Sequence, residues 1–296
     1  MIDDKKMTRR SALKYMGATV AGVALASMGG LSCLTSCTEN GKKRIVFYFT
    51  ATGNSLYAAR QFSETPLSIP QVMKENELVF EADEIGLVFP DYRAMAPEIV
   101  KRFLQKATLK APYLFSIITY GHWDCNIVES WNKFALQHGV HFNYITTILM
   151  VDNWLPVFDM NEEMKIDKQE KEQFSRAVAD VLEEKNYIPE LSEEERKRCE
   201  EVLNRIPVLF PVNSEDIFEV KDNCIGCGVC ARVCPRKNYI LSGNGVKHSG
   251  DCEYCLACIQ NCPQKAIVLK SGETNPNARY RHPHISLNDI VRSNIQ

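Results

Sequence analysis

From Lys43 onward the chain alternates between short apolar runs and amphipathic stretches. Arg44–Phe49 (Arg-Ile-Val-Phe-Tyr-Phe) is a compact run of β-branched and aromatic residues, which predicts a strand. A turn over Thr50–Ser55 and a helix-like stretch over Leu56–Phe62 follow it. Ile85–Phe89 and Tyr113–Thr119 repeat the strand signal, each followed by a helical pattern, over Pro97–Lys106 and about Asn126–His138. Phe142–Val151 is the last strand-like run. Strands alternating with helices predict an α/β architecture, a doubly wound parallel sheet with helices on both faces. Ligands of such sheets sit beyond the C-terminal ends of the strands, so chemistry is expected in the loops that leave those ends.

The segment Asn161–Arg205 is heavily charged, and Phe174, Val178, Val181 and Leu182 fall at helical spacing within it. That pattern reads as a solvated helix packing back on the sheet. The 296 residues suffice for one large domain and a small one. The 35 Lys+Arg and 37 Asp+Glu nearly cancel, so no excess of positive charge points to nucleic acid. The six histidines show no ligand-like spacing; His122 lies next to one of the strand-end loops.

Cysteine changes the picture. Of 12 cysteines, eight lie between Cys224 and Cys262, while Cys33, Cys37, Cys125 and Cys199 are scattered. Cys199, beside Arg196, Lys197 and Arg198, reads as an ordinary thiol. Cys224-Ile-Gly-Cys227-Gly-Val-Cys230-Ala-Arg-Val-Cys234-Pro235 has the C-x₂-C-x₂-C-x₃-C-P spacing of bacterial cluster-binding runs. Cys252-Glu-Tyr-Cys255-Leu-Ala-Cys258-Ile-Gln-Asn-Cys262-Pro263 repeats it. Three closely spaced thiolates turn around one cube and the fourth reaches across to the other. Cys224, Cys227, Cys230 and Cys262 are therefore expected to hold one [4Fe-4S] cluster, and Cys252, Cys255, Cys258 and Cys234 the other. Structural zinc spaces two cysteine pairs further apart and closes at four ligands. Gly226 and Gly228 allow close backbone approach to sulfur, and Pro235 and Pro263 turn the chain away. These residues resemble the bacterial two-cluster ferredoxins, small α+β domains.

The loop Thr50-Ala51-Thr52-Gly53-Asn54-Ser55, directly after the first strand, offers hydroxyls and successive backbone amides to a phosphate, with a helix N-terminus behind it. It has no lysine and so differs from the nucleoside-triphosphate loop. It resembles the FMN-phosphate loop of flavodoxins. Phe89-Pro90-Asp91-Tyr92 and Thr119-Tyr120-Gly121 resemble the two loops that enclose the flavin ring in that family. The resemblance covers roughly Lys43–Val151 and implies a flavodoxin-like fold with FMN against Pro90, Tyr92, Thr119, Tyr120 and Gly121. Tyr92, Tyr120 and Trp123 offer flat faces to stack on the ring. From Lys43 the whole chain resembles a bacterial fusion family that joins a flavodoxin-like domain to a two-cluster ferredoxin module. Arg279-Tyr280-Arg281-His282-Pro283-His284 resembles the tail of that family.

At the N-terminus, Thr8-Arg9-Arg10-Ser11-Ala12-Leu13-Lys14 precedes an uncharged stretch from Tyr15 to Thr38, the arrangement of a secretory signal. The paired Arg9-Arg10 resembles the twin-arginine type, with Ala12 where that family prefers Phe. Leu34-Thr35-Ser36-Cys37 resembles a lipobox, which implies lipidation of Cys37 and a firm membrane anchor. A route that carries folded proteins would let clusters be installed before export, since an oxidising exterior supplies neither thiolate nor iron.

The expected organisation is a signal segment over 1–37, a flavodoxin-like domain with a helical extension over 38–205, a ferredoxin domain over 206–276 and a tail over 277–296. The expected function is electron transfer between FMN, two [4Fe-4S] clusters and unidentified redox proteins, at the non-cytoplasmic membrane surface. A flavin-dependent reductase fed by the clusters, and a redox-sensing lipoprotein, are the alternatives the residues leave open. No catalytic nucleophile–base pair is visible.

Overall fold

The computed structural model describes residues 36–37, 41–205, 217–242, 245–248, 250 and 252–294. The first part of the chain runs β1 (Ser36–Cys37), β2 (Lys43–Tyr48), α1 (Asn54–Ala59), β3 (Leu67–Ser68), α2 (Ile69–Val72), β4 (Val79–Glu81) and β5 (Glu84–Pro90). It continues through α3 (Glu98–Lys106), β6 (Thr108–Lys110), β7 (Tyr113–Tyr120), α4 (Ile127–Gln137) and β8 (Tyr144–Leu149). Three helices follow: α5 (Met160–Glu163), α6 (Glu170–Leu182) and α7 (Glu193–Arg205). The C-terminal part holds β9 (Phe218–Val220), α8 (Val229–Val233), β10 (Tyr239–Ser242), β11 (Gly245–His248), α9 (Ala257–Gln260), β12 (Ile267–Leu269) and α10 (Leu287–Asn294).

Five strands pair in parallel in the order β3-β2-β5-β7-β8, with β1 antiparallel beside the start of β2. The sheet is in keeping with a flavodoxin-like α/β fold. Its central strands are apolar at nearly every position because successive side chains point to opposite faces and both faces are covered. Ile45, Phe47, Ile85, Leu87 and Ile118 pack with α3 and α4 through Phe103, Leu104 and Trp131. Val46, Tyr48, Val88, Phe115 and Ile117 pack on the other side with Leu56 of α1, Phe174 and Val181 of α6, and Ile290 of α10. The strands expected over Arg44–Phe49, Ile85–Phe89, Tyr113–Thr119 and Phe142–Val151 form within a few residues of those bounds. The short β3, and the parallel pair β4–β6, carry too few residues to announce themselves.

The charged segment is less uniform than its composition implies. In α6 the inner stripe is Phe174, Ala177 and Val181, whereas Leu182 is 45% exposed. Leu182 stands one residue, about 100°, beyond Val181 and turns to solvent. Upstream, Glu163 and Lys168 are buried as an ion pair at 2.5 Å. Glu163 also accepts the Asp152 amide at 3.2 Å, and Lys168 donates to the Gly121 carbonyl at 3.3 Å. A buried pair of charges persists only where such further bonds satisfy it.

In the C-terminal part β9 and β12 pair antiparallel, β10 and β11 form a hairpin, and α8 and α9 each begin inside a cysteine run. The chain then returns to the parallel sheet. The Tyr48 hydroxyl lies 2.7 Å from Ser293 Oγ, Ser68 Oγ donates to the Ser293 carbonyl, and Asn294 Nδ2 donates to the Thr50 carbonyl at 2.9 Å. Residues 277–294 thus complete the core of the first unit. The N-terminal segment with Arg9 and Arg10, expected to be a twin-arginine signal, and Cys33 lie outside the described residues; of Cys37 only the backbone pairing with Lys43 is described. Among the described residues no helix is long and apolar enough to cross a membrane.

Candidate functional site

The C-terminal ends of β2, β5, β7 and β8 open into one cleft of about 830 Å³. Thr50, Ala51, Thr52, Asn54 and Ser55 line it after β2, Pro90 and Tyr92 at the end of β5, and Thr119, Tyr120 and Gly121 at the end of β7. A volume of that order suits a cofactor-sized ligand. Gly53 is the expected loop residue that does not line the cleft. It has φ 109°, and a Cβ there would come within 2.9 Å of Ile285 Cβ and 3.0 Å of His282 Cβ. Its glycine is required by the returning tail. Gly121 is required by close approach: a Cβ would lie 2.4 Å from Asp152 Cβ on the neighbouring loop.

The loop after β2 is held from behind. The Thr50 carbonyl accepts from Asn294, the Ala51 carbonyl from Asn261 Nδ2 at 3.3 Å, the Thr52 carbonyl from the His282 amide at 2.8 Å, and the Gly53 carbonyl from the Tyr57 amide at 2.8 Å. In a planar trans peptide the carbonyl and the following N–H point opposite ways. The amides of Ala51, Thr52 and Asn54 therefore turn away from these partners, and among the described residues none of them donates to a protein acceptor. Backbone amides without a protein acceptor at such a loop are suited to an anion. The Gly53 amide is spent on Thr50 Oγ1 at 3.0 Å. Thr52 Oγ1 accepts from Asn153 Nδ2 at 2.8 Å, which leaves its own proton free to donate. Ser55 Oγ and Thr119 Oγ1 share a bond of 2.8 Å. The Asn54 amide group acts as a strut, accepting from the Tyr280 hydroxyl at 2.6 Å and donating to the Val151 carbonyl at 3.0 Å.

Aromatic residues flank the cleft. Tyr92 stands edge-on to Phe49, with ring centroids 6.4 Å apart. Its hydroxyl and the Asp91 Oδ1 are buried without a protein partner among the described residues. Burial pushes the Asp91 carboxyl well above the usual carboxylate range, against hydrogen bonds with the Ala94 and Met95 backbone that pull it down. Burial pushes the half-buried Tyr120 up to about 12. Trp123 is 58% exposed and packs edge-on to His122 at the mouth. The expectations did not include Asp152, Asn153, Trp154 and Val157, which line the cleft from the loop after β8. That loop also leaves a strand end, and this was the one signal available for it.

The opposite wall belongs to the cysteine repeat. Tyr254, Cys255 and Leu256 line the same cleft. Cys252, Cys255 and Cys258 face one another and Cys234. Cys224, Cys227, Cys230 and Cys262 line a separate small cavity. The two sets expected from the spacing, each with its fourth cysteine from the other run, are thus the two sets brought together. Backbone amides point at the sulfurs: Asn238 at Cys234 (3.3 Å), Tyr254 at Cys252 (3.2 Å) and Ala266 at Cys262 (3.3 Å), while the Tyr239 hydroxyl donates to Cys258 (3.4 Å). Donors aimed at sulfur fit thiolate ligands. Burial, with the neighbouring cysteines adding to it, pushes the Cys230 and Cys252 thiols up to about 12 and Cys255 and Cys258 well upward; a bound cation favours the thiolate instead. Among the described residues no three His, Cys, Asp or Glu side chains meet where a single metal ion could sit.

Polar bonds hold the two walls together. Glu253 Oε1 accepts the Ile99 amide at 2.8 Å, supplying the cap that Pro97 cannot give α3. Gln260 Nε2 donates to the Asn153 carbonyl at 2.9 Å.

Residues 216–274 match the family described as a 4Fe-4S dicluster domain, so the C-terminal part is an iron–sulfur unit of ferredoxin type. No curated protein matches the chain. Among solved structures, a candidate flavoprotein from Bacteroides uniformis ATCC 8492 is similar at 15% identity, covering 36% of this chain and 89% of its own, with a TM-score of 0.28. A likeness of that size decides neither cofactor nor activity.

Proposed function

We propose that the chain is an iron–sulfur flavoprotein that passes electrons between FMN in the strand-end cleft, two [4Fe-4S] clusters and external redox proteins. The observation that carries this reading is the position of Cys255 in the wall of the cleft that the loop Thr50–Ser55 lines. The amides of Ala51, Thr52 and Asn54, with the free proton of Thr52, fit a phosphate; Asp91, Tyr92 and Tyr120 fit the polar edge and the face of a ring. FMN takes up electrons in pairs and gives them up singly, which suits one-electron carriers beside it. Cys252, Cys255, Cys258 and Cys234 would hold the cluster nearer the flavin, and Cys224, Cys227, Cys230 and Cys262 the one behind it. The chain's own residues would orient the phosphate through the loop after β2, and they aim amides at the sulfurs.

The test is titration of flavin-free protein with FMN and with riboflavin, which lacks the phosphate. The Thr52→Ala/Ser55→Ala double variant is expected to lose FMN affinity several-fold or more, since a hydrogen bond to a charged group is worth about 1.5–3 kcal/mol. Its iron content is expected to be unchanged. Equal affinity of the native protein for FMN and riboflavin would remove the phosphate cradle from the proposal.

A further inference from the structure

Two thiols outside the cysteine repeat meet at the rim of the cleft. Cys125, in the loop after β7, lines the cleft, and its thiol is in hydrogen-bond contact with that of Cys199 on α7. The two positions lie far apart in sequence, and both residues are half-buried. Cys125 is held at φ 42°, a left-handed conformation that a non-glycine residue adopts at a cost.

The helix on which Cys199 sits is weakly held. No described side chain of α7 is fully buried. Arg93 Nη2 donates to the Leu203 carbonyl at 2.7 Å, and Arg196 grips the Glu129 carboxylate of α4, its shortest contact being 2.7 Å. Leu203 itself lines the cleft. A helix with no fully buried side chain among its described residues belongs to the low-stability end of a fold. A covalent bond between Cys125 and Cys199 would change its attachment most.

We propose that Cys125 and Cys199 form a reversible dithiol–disulfide site that fastens α7 across the rim of the cleft. The inference goes beyond the electron-transfer reading and does not require FMN. The oxidant is a low-molecular-weight disulfide. The contact between the two sulfurs means that either can open the exchange and the other can close it. With Cys199 first, its thiolate breaks the S–S bond of the small disulfide, releases one small thiol and forms a mixed disulfide. The Cys125 sulfur then attacks Cys199 Sγ, gives up its proton and releases the second small thiol. Two protein thiols are oxidised to one disulfide and one small disulfide is reduced to two thiols.

The experiment uses the full chain with its clusters loaded, under anaerobic conditions, with glutathione disulfide as the probe. Peptide mass spectrometry after alkylation is expected to find Cys125 joined to Cys199, reversed by dithiothreitol, with the iron–sulfur absorption unchanged. In Cys125→Ser and in Cys199→Ser no intramolecular bond can close, and the remaining thiol is expected to stop at the glutathione mixed disulfide. Amide hydrogen exchange over 193–205 is expected to slow about tenfold or more in the oxidised native chain and in neither variant. Both thiols remaining alkylatable, each carrying its own glutathione, or Cys199 joined instead to a cysteine of the repeat, would overturn the site. A Cys125–Cys199 bond with unchanged exchange over 193–205 would overturn the fastening of α7.

Discussion

Replacing Tyr280 by Phe removes a single hydroxyl at the point where the returning tail meets the loop after β2. That hydroxyl donates to Asn54 Oδ1 at 2.6 Å, and both residues are buried. Phe keeps the packing of the ring, so the loss is confined to the bond. Leaving a buried amide oxygen without its donor costs about 1–3 kcal/mol. For a folded unit of 150–250 residues this corresponds to a fall in melting temperature of roughly 2–12 °C. The bond spans the loop and the tail, so the same loss should loosen Thr50–Ser55. FMN would then have to reorder the loop, weakening its binding by up to about a hundredfold. Calorimetry of the cluster-loaded protein and an FMN titration read the two effects, with iron content as the control. An unchanged melting temperature together with unchanged FMN affinity would refute the strut role of Asn54 and Tyr280.

Asp91→Asn is expected to raise stability at neutral pH, with the gain vanishing toward pH 4. Burial raises the folded-state pKa of Asp91, so folding is penalised as pH rises from the unfolded value toward the folded one; melting curves from pH 4 to 8 check it, and a constant gain would refute it. Cys262→Ser is expected to remove the cluster of Cys224, Cys227 and Cys230 and spare the other, lowering iron from about eight to about four per chain; loss of the second repeat's cluster would reverse the assignment. Replacing Arg9 and Arg10 by Lys is expected to leave precursor in the cytoplasm, and Cys37→Ala to abolish lipid labelling in cells; native protein recovered from the cytoplasm with Met1 intact would refute both.

Two kinds of feature were legible along the chain. The strands β2, β5, β7 and β8 could be read because a strand covered on both faces must be apolar at successive positions, a condition local to six or eight residues. The cysteine sets could be read because three ligands of one cube must lie within a few residues of one another. The loop after β2 was legible for the same reason, since its amides and hydroxyls are consecutive. What Gly53 and Asn54 do was not. Gly53 faces Ile285 and His282, and Asn54 is paired with a tyrosine 226 positions away.

Charge pattern misled where packing buried the charges. Glu163 and Lys168 sit in a stretch whose composition reads as solvated, yet they are buried because each has a partner in the other and a further bond to the Gly121 or Asp152 loop. Cys199 read as an ordinary thiol until the path of α7 set it against Cys125. Likewise nothing in Cys252–Cys258 says that it walls the cleft; that depends on Glu253 capping α3 and on Asn261 holding the Ala51 carbonyl. Periodicity and ligand spacing are short-range constraints, so they are written in neighbouring residues and select the strands and the cysteine quartets. Which carbonyls are tied, which charges are buried and which cysteine meets the cleft depend on groups brought together from separate segments of the chain, where only packing chooses the partner.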